Sequence, residues 1–361
     1  MRVVFLVLDA MPPRHVGPAT TPVLAALAAS GGSAVGRSVM TSSTYPNHAT
    51  FATGVGPVGH GILANWIIRD GGPRATWHLG PSAPTLFEAC RAAGRTSATV
   101  VGDHNLIGVM GGASADEHWP PDGRRPDGVP VDEHGYVFDD EVLTHLVPLL
   151  ERSDGPDLVV AHLNEPDTAA HVHGPDSEAA VATYRSTDAH VQPIVDALQR
   201  GWDDTVLIVV SDHDQETVTV EEPIDLHAAV AAAGIDCFVM PELSAAVVWG
   251  TDELAGAWID NVQGVAGHEP AWDGARVVWA EPGRWFAMPP ELRDVLTTER
   301  GQHGGATTRS QVGIVAGGHP AVAAIASSLH DPTRQLEAAD WATTVAALLD
   351  LPLDATGTSL I

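Results

Sequence analysis

The sequence predicts an α/β fold in which helices flank a mostly parallel central sheet. Short, β-branched apolar runs at 3–8, 157–163 and 205–211 are separated by helical stretches. Runs that are apolar at nearly every position fit strands that are covered on both faces, as in a parallel sheet. Polar residues follow each run, among them Asp9 and Asp212. Because ligands of such sheets gather at the carboxyl ends of the strands, these residues predict a site at that edge.

Two of the intervening helices have clear boundaries. A helix over 22–30 stops at a Gly-Gly pair, and Ser177 is a candidate N-cap for a second helix that runs to about residue 200 and closes at Gly201. Apolar residues recur along the second helix at spacings of three and four, and Asp188 lies within this stripe. We expect Asp188 to be a buried acid that a backbone loop satisfies, rather than a catalytic group.

The segment 214–295 predicts a small α/β cap inserted into a main domain made of 1–213 and 296–361. Its pattern contains helices near 225–233 and 252–263, and strands at 245–249 and 276–280. Two further surface features are a hairpin at 62–82 and a Pro/Gly/Asp-rich loop at 120–135.

The charge balance excludes several kinds of partner. The chain has 46 acidic residues and 18 basic ones, all of them Arg, for a formal net charge of −28. Such a surface repels polyanions, so we expect neither long nucleic acids nor anionic membranes as partners. The opening apolar run is too short for a secretory signal, and Cys90 and Cys237 lack metal-type spacing. We therefore expect a cytoplasmic protein with reduced cysteines, and its oligomeric state stays open.

Side chains that suit a metal centre come from at least four separated segments. Asp167 and His171 are four residues apart, so both can point the same way from a helical turn. Mixed carboxylate and imidazole ligands suit zinc, with manganese or iron as substitutes. The full set of candidate ligands is Asp9, Asp167, His171, Asp212, His213 and His303.

Thr44 offers a hydroxyl group within STYPNHATFATG, where a turn-forming Tyr-Pro-Asn follows it. A threonine hydroxyl is a poor nucleophile at neutral pH, and coordination to a metal activates it. Two metals about 4 Å apart can hold both the attacking and the leaving oxygen of a displacement at phosphorus. The set of residues therefore predicts phosphoryl transfer.

The chain resembles the alkaline phosphatase superfamily, and within it the nucleotide pyrophosphatase/phosphodiesterase-like branch. The motifs that carry the resemblance are FLVLDAM, STYPNHATFATG, GHGI, HLNEPDTAAHVHG, VVSDHD and GQHGG. The resemblance implies an alkaline-phosphatase-like core with two Zn²⁺ ions. One zinc would be held by Asp167, His171 and His303, and the other by Asp9, Asp212 and His213. Thr44 would bridge to the second zinc as the nucleophile, and Asn47 would donate to a phosphate oxygen.

Several similar residues have structural interpretations instead. Asp103 and His104 follow a strand much as Asp212 and His213 do, but their position relative to the family motifs favours a structural loop. His48 and His60 are expected behind the ligands or in turns. Trp66 and Trp77 predict hairpin packing, with an aromatic wall for a flat leaving group as the alternative.

The resemblance favours hydrolysis of phosphodiester or pyrophosphate bonds in a small, nucleotide-like substrate through a Thr44 phosphoryl intermediate. The alternatives are a carbon–phosphorus hydrolase that resembles phosphonoacetate hydrolase, a phosphomonoesterase, and a non-catalytic binding protein. The substrate would then be a small phosphate ester or a phosphonate. Since the chain has no Lys, Arg must meet any anionic group of the substrate, and Arg276 and Arg284 are the candidates in the cap.

Overall fold

The computed structural model describes residues 1–70, 72–250, 253–271, 274–288 and 299–361. Strands and helices alternate along most of this length. The strands are β1 (Arg2–Leu8), β2 (Gly32–Arg37), β3 (Trp66–Arg69), β4 (Gly72–Ala75), β5 (Ser97–Val101), β6 (Glu117–Trp119), β7 (Leu158–Leu163), β8 (Thr205–Val210), β9 (Glu216–Thr217), β10 (Phe238–Glu242), β11 (Ala245–Trp249), β12 (Val265–Pro270), β13 (Arg276–Ala280), β14 (Gly301–Gln302) and β15 (Ser310–Ala316). The helices are α1 (Pro22–Ser30), α2 (Thr44–Thr53), α3 (Pro57–His60), α4 (Thr76–Leu79), α5 (Leu86–Ala92), α6 (Leu106–Val109), α7 (Asp139–Glu151), α8 (Glu165–His173), α9 (Glu178–Leu198), α10 (Leu226–Ala233), α11 (Glu253–Ile259), α12 (Ala321–Leu329) and α13 (Ala338–Leu349).

A seven-stranded sheet in the order β2-β15-β8-β1-β7-β5-β6 forms the centre of the molecule. Strand β15 runs antiparallel to both of its neighbours, and the other pairs are parallel. The predicted α/β class with a mostly parallel sheet is therefore confirmed. The order places β8, β1 and β7 side by side, so the residues that follow these three strands meet at one edge.

The central strands are apolar at nearly every position because both faces of the sheet are covered. Phe5 of β1 packs on one face with Phe51, Phe87 and Trp341. Its neighbour Leu6 packs on the opposite face, in the same cluster as α1, α7 and α9. Alternate residues thus serve two separate cores, which removes the polar alternation of a half-exposed strand.

The helices agree with the sequence prediction where it was most specific. Helix α1 has the predicted bounds, and the Ser177 side chain accepts a hydrogen bond from the Ala180 N–H at the start of α9. The second helix ends at Leu198 and gives way to a 3-10 helix, Gln199–Asp204. Asp188 is a buried acid satisfied by backbone N–H groups, as predicted, but these belong to Val23 and Leu24 at the start of α1 and not to a loop.

A second, antiparallel sheet in the order β10-β11-β13-β12 lies within the predicted cap. One of its faces packs with α10 and α11 around Phe286. The other face packs against the β3–β4 hairpin through Ile67, Met240 and Val247. The predicted helix near 252–263 corresponds to α11, although residue 252 lies outside the described residues. The cap's predicted boundary at 295 also lies outside them, so the division into core and cap stays a prediction.

Both cysteines are free, with Cys90 buried and Cys237 half-buried. Among the described helices, none combines the length and the apolar character that crossing a membrane requires.

Candidate active site

Asp9 and Asp212 meet because they follow the adjacent parallel strands β1 and β8. The Oδ1 of Asp212 accepts hydrogen bonds from the backbone N–H groups of Ala10, at 3.0 Å, and His213, at 2.9 Å. These two bonds fix the carboxylate across the strand ends. They leave its Oδ2 buried and without a hydrogen-bond partner among the described residues.

His213 completes the first cluster of possible ligands. Its Nε2 lies 3.6 Å from Asp9 Oδ1 and 3.5 Å from Asp212 Oδ2. One ligand atom from each of the three residues lies within 4.8 Å of the other two. The hydroxyl oxygen of Thr44 lies 3.2 Å from the same Nε2. Thr44 is the first residue of α2, whose N-terminal N–H groups favour negative charge.

The second cluster lies on helix α8 and just beyond β14. Asp167 Oδ1 is 3.4 Å from His171 Nε2 and 3.8 Å from His303 Nε2. Gln215 Nε2 donates to Asp167 Oδ1 at 2.6 Å, and the backbone oxygen of Gly301 lies 2.9 Å from His171 Nδ1. The sequence-predicted trio is therefore brought together in space.

The two clusters touch through His213. Its ring stacks on that of His303, with 4.0 Å between the centroids. Asp167, His213 and His303 also form a group whose ligand atoms all lie within 4.8 Å. All seven predicted residues, including Thr44, thus surround one small volume.

The buried carboxylates around this volume favour the binding of cations. Burial raises the pKa of Asp9 well above its ordinary value, and the carboxylates of Asp212 and Asp167 raise it further. Burial also opposes ionisation of Asp167, but the imidazoles of His171 and His303 outweigh it and lower its pKa. Asp9 Oδ1 is buried and unpartnered within the described part of the chain. Buried carboxylates with free oxygens beside imidazole nitrogens fit divalent metal ions, and zinc suits this donor set.

Two further histidines support the acids from behind. His162 Nε2 lies 2.9 Å from Asp9 Oδ2, and His48 Nδ1 lies 3.5 Å from Asp212 Oδ2 and 2.9 Å from the backbone oxygen of Thr44. Both rings are completely buried. The prediction for His48 agrees with this position. His162 was not predicted, although a lone polar residue in the apolar strand β7 was the available signal.

An open pocket of about 230 Å³ adjoins Thr44 and the second cluster. Its walls come from α2, the start of the β3–β4 hairpin, the 120–136 loop and β10. Besides Thr44, Asp167, His171 and His303, the lining residues include Tyr45, Asn65, Trp66, His134, Tyr136 and Glu242.

Asn47 lies away from this pocket, which corrects its predicted role. Its side-chain N–H donates to the Ser43 backbone oxygen at 2.9 Å, and its Oδ1 accepts from the Val39 N–H at 3.0 Å. The residue is fully buried and stabilises the turn that carries Thr44. Asn65 lines the pocket instead, and its side-chain oxygen has no hydrogen-bond partner among the described residues. Its distance from the nucleophile along the chain concealed it from sequence reasoning.

Glu242 was also missed, and it holds Asn65 in place. Its Oε1 accepts a hydrogen bond from the Asn65 backbone N–H at 2.8 Å. Burial raises the pKa of this carboxyl group to about 8. Glu242 belongs to β10, so the second sheet contributes directly to the wall of the pocket.

Trp66 agrees with the predicted aromatic wall, and Trp77 agrees with the predicted hairpin packing. Trp66 lines the pocket, whereas Trp77 packs behind it, with ring centroids 5.3 Å from Trp66 and 5.8 Å from Tyr45. The predicted arginines of the cap do not reach this pocket. Arg276 Nε donates to His268 Nδ1 at 2.9 Å, and Arg284 pairs with Glu281 at 3.5 Å. The prediction that they meet the substrate is therefore not supported.

Asp103 has the structural role that the sequence favoured, whereas His104 lines a neighbouring cavity. Asp103 accepts from the Asn105 backbone N–H at 2.9 Å and bonds the Tyr45 hydroxyl, which also accepts from Asn105 Nδ2 at 2.9 Å. His60 likewise lies in a turn, where its Nδ1 accepts from the Ile62 N–H at 3.1 Å.

The sequence matches the family model for type I phosphodiesterase/nucleotide pyrophosphatase over residues 3–281. Ectonucleotide pyrophosphatase/phosphodiesterase family member 1 of Rattus norvegicus is 28% identical over 191 residues, which cover 50% of this chain and 20% of that protein. Venom phosphodiesterase of Macrovipera lebetinus is 27% identical over 191 residues, or 51% of this chain and 21% of that protein. The chain thus spans about a fifth of the length of these relatives.

Two solved structures share the fold. One is an inactive variant of murine ectonucleotide pyrophosphatase/phosphodiesterase 5 in complex with AMP. It has a TM-score of 0.73 and 16% identity, with 99% of this chain and 97% of that chain covered. The other is phosphonoacetate hydrolase from Sinorhizobium meliloti 1021 in complex with phosphonoformate. Its TM-score is 0.70 at 18% identity, with 97% and 96% of the two chains covered.

Proposed function

The chain belongs to the type I phosphodiesterase/nucleotide pyrophosphatase family, and we propose that it hydrolyses phosphodiester or pyrophosphate bonds of a small, nucleotide-like substrate through a phosphorylated Thr44. The proximity of Thr44 Oγ1 to His213 Nε2, at 3.2 Å beside the pocket, is the observation that carries this proposal. A hydroxyl at that position opens onto the space where a phosphoryl group fits. The cytoplasmic location stays a prediction.

The proposed ligand sets are Asp9, Asp212 and His213 for one zinc, and Asp167, His171 and His303 for the other. Bound zinc would lower the pKa of the Thr44 hydroxyl and neutralise charge on the phosphoryl oxygens. The fit rests on the buried, unpartnered oxygens of Asp9 and Asp212. His162 bonds the Oδ2 of Asp9 and so leaves the Oδ1 of that acid available, and His48 lies 3.5 Å from Asp212 Oδ2.

Thr44 Oγ would form a bond to phosphorus while the bond to the leaving oxygen breaks. The nucleoside would stay attached to phosphorus, and water would then cleave this nucleotidyl-threonine, releasing the nucleoside monophosphate and regenerating the hydroxyl. Asn65 is placed to donate its side-chain N–H to a non-bridging oxygen, because it lines the same pocket as Thr44. A neutral amide donor suits a diester, which carries less negative charge than a monoester.

A panel of substrates with the same leaving group tests the proposal. The 4-nitrophenyl ester of thymidine 5′-monophosphate is a diester, and 4-nitrophenyl phosphate is the matching monoester. With zinc present, we expect kcat/KM for the diester to exceed that for the monoester by at least about 100-fold. A higher kcat/KM on the monoester, or release of phosphate from phosphonoacetate in preference to either, contradicts the proposal. Acid quenching during turnover of the diester should trap a thymidine 5′-phosphoryl group on Thr44, which peptide mass spectrometry would locate.

A further inference from the structure

A second, larger chamber adjoins the pocket that contains Thr44. Its volume is about 1180 Å³, and its walls come from the 118–136 segment, the turn after β5 and the end of the β3–β4 hairpin. His134 and Tyr136 line both spaces, so the two are neighbours across a single layer of side chains.

Two consecutive arginines, Arg124 and Arg125, line this chamber. Both are exposed. The Arg124 guanidinium has no hydrogen bond or ion pair with any described residue, and Arg125 Nη1 donates to the Gly135 backbone oxygen at 2.7 Å. Asp122 and Asp127 also line the chamber, but neither forms an ion pair with these arginines within the described residues.

Arg124 and Arg125 differ from the other described arginines in their place, since both line a cavity beside the reactive site. The chain has 46 acidic residues for its 18 basic ones, and some of the described arginines pair with a carboxylate. Arg14, Arg95 and Arg152 all do so on the surface. Guanidinium groups that stay available in a chamber beside a reactive site suit a carboxylate or phosphate of a ligand.

Four histidines also line the chamber, and the Nε2 of one of them, His118, accepts a hydrogen bond from the Asp122 backbone N–H at 3.3 Å. They are His78, His104, His118 and His134. The Nδ1 of His104 is buried and has no partner within the described part of the chain. The chamber wall therefore offers imidazole N–H groups beside two guanidinium groups.

The position of the chamber matches the direction in which a leaving group would depart. Thr44 lies beside His213 of the first cluster, so an in-line attack expels the leaving oxygen toward the second cluster. His134, on the boundary of the chamber, lies against His171 of that cluster, with 5.3 Å between the ring centroids. The group attached to the leaving oxygen would thus enter the chamber past His134.

We propose that this chamber is an anion-binding subsite, in which Arg124 and Arg125 bind a multiply charged leaving group such as a pyrophosphate. The inference rests on the proposed function, because it assigns the far side of the same scissile bond. It replaces the predicted role of Arg276 and Arg284, which bond to residues of their own segment. Because the chain has no Lys, arginine is the available cation for this purpose.

Two substrates that differ only in the leaving group test the subsite. Thymidine 5′-triphosphate releases pyrophosphate, and the 4-nitrophenyl ester of thymidine 5′-monophosphate releases a nitrophenolate. In an Arg124→Ala/Arg125→Ala variant we expect KM for the triphosphate to rise by about 10- to 100-fold, since two charge-assisted contacts are lost. KM for the nitrophenyl ester should stay within about twofold. An Arg185→Ala/Arg200→Ala variant removes the same charge from exposed positions elsewhere and should leave both values unchanged.

An equal rise for both substrates would overturn the proposal, because the chamber would then hold the nucleoside. An equal effect in the control variant would also overturn it, since general surface charge would explain the change. A separate binding measurement tests the subsite even if the proposed hydrolytic function is wrong. Calorimetry with inorganic pyrophosphate and zinc-loaded Thr44→Ala protein requires no turnover. Binding weakened by about 10-fold or more in Thr44→Ala/Arg124→Ala/Arg125→Ala supports the subsite, and unchanged binding rejects it.

Discussion

The central sheet carries the dipeptide Asp-His at the ends of two parallel strands, and the two copies have different roles. Asp212 and His213 begin one residue beyond β8, and Asp103 and His104 begin one residue beyond β5. Both aspartates are buried and both accept a backbone N–H through Oδ1. Because the two aspartates have similar local backbone bonds, their different roles must come from the side chains that lie opposite them.

The position of each strand in the sheet supplies that difference. Strand β8 lies next to β1, which brings Asp9 to Asp212 and leaves two carboxylates with free, buried oxygens. Strand β5 lies next to β7 and β6, and its aspartate meets the Tyr45 hydroxyl and Asn105 instead. A carboxylate satisfied by neutral donors has no need of a metal. The same dipeptide therefore becomes a ligand pair at one strand end and a support for a pocket wall at the other.

Two consecutive residues of α2 contact the two strand ends. Substituting them should give the largest difference in catalytic rate. Thr44 faces His213, whereas Tyr45 bonds Asp103 and Asn105. We expect Thr44→Ala to lower kcat on a nucleotide diester by at least about 10³-fold, because it removes the attacking oxygen. Tyr45→Phe, which removes only the hydroxyl, should lower kcat/KM by no more than about 10-fold.

Steady-state kinetics on both variants, with metal content measured in parallel, checks this contrast. A Thr44→Ser variant should recover part of the activity because it restores a hydroxyl. Near-native turnover by Thr44→Ala would instead mean that water attacks the phosphorus directly.

The candidate metal ligands could be predicted from the sequence, but most residues of the pocket wall could not. Asp9, Asp167 and Asp212 follow strands or begin a helix within recognisable motifs, so their convergence follows from the parallel sheet. Asn65 and Glu242 lie in segments without such a pattern, and only tertiary packing brings them together. Asn47 was misassigned because its closeness to Thr44 along the chain says nothing about the direction of its side chain, which the helix turns toward Ser43 and Val39.

In the fold, too, the features with a local sequence pattern could be predicted and those that depend on tertiary contacts could not. The apolar runs predicted the central strands because burial on both faces leaves an unmistakable pattern. The packing of the β3–β4 hairpin on the second sheet depends on contacts between residues nearly 200 positions apart, which no local pattern encodes. For the same reason the sequence suggested Arg276 and Arg284, while two arginines of the 120–135 loop line the cavity beside the pocket.

A change in metal content is the second-largest effect that we expect from comparing the two strand ends. Asp212→Asn keeps the Oδ1 that the Ala10 and His213 N–H groups bond but removes the negative charge. We expect elemental analysis to show about one zinc fewer per chain than in the wild type. Asp103→Asn is the matched control, with the same change at the other strand end, and it should retain the wild-type content. Equal metal loss in both variants would remove the distinction between the two dipeptides.

The smallest expected effect is a change in stability with pH. Burial raises the pKa of Asp103 from its ordinary value of 3.8 to about 7, even though the bonds from Asn105 and Tyr45 lower it. Between these two values the folded protein binds more protons than the unfolded chain. The free energy of unfolding therefore falls as pH rises, by up to about 1.4 kcal/mol per pH unit from this group alone.

Asp103→Asn removes this proton without changing the shape of the side chain, so its stability should depend less on pH over that range. Urea unfolding of metal-free wild type and variant at pH 5.0 and 7.0 measures the difference, as a wild-type minus variant gap that shrinks with rising pH. Zinc added to both proteins should reduce the effect, because the charge of Asp167 contributes to the raised pKa of Asp103 and a bound cation offsets that charge. Parallel pH dependence in wild type and variant would mean that Asp103 is ionised in the folded protein. The two strand ends would then differ only in whether a second carboxylate lies opposite.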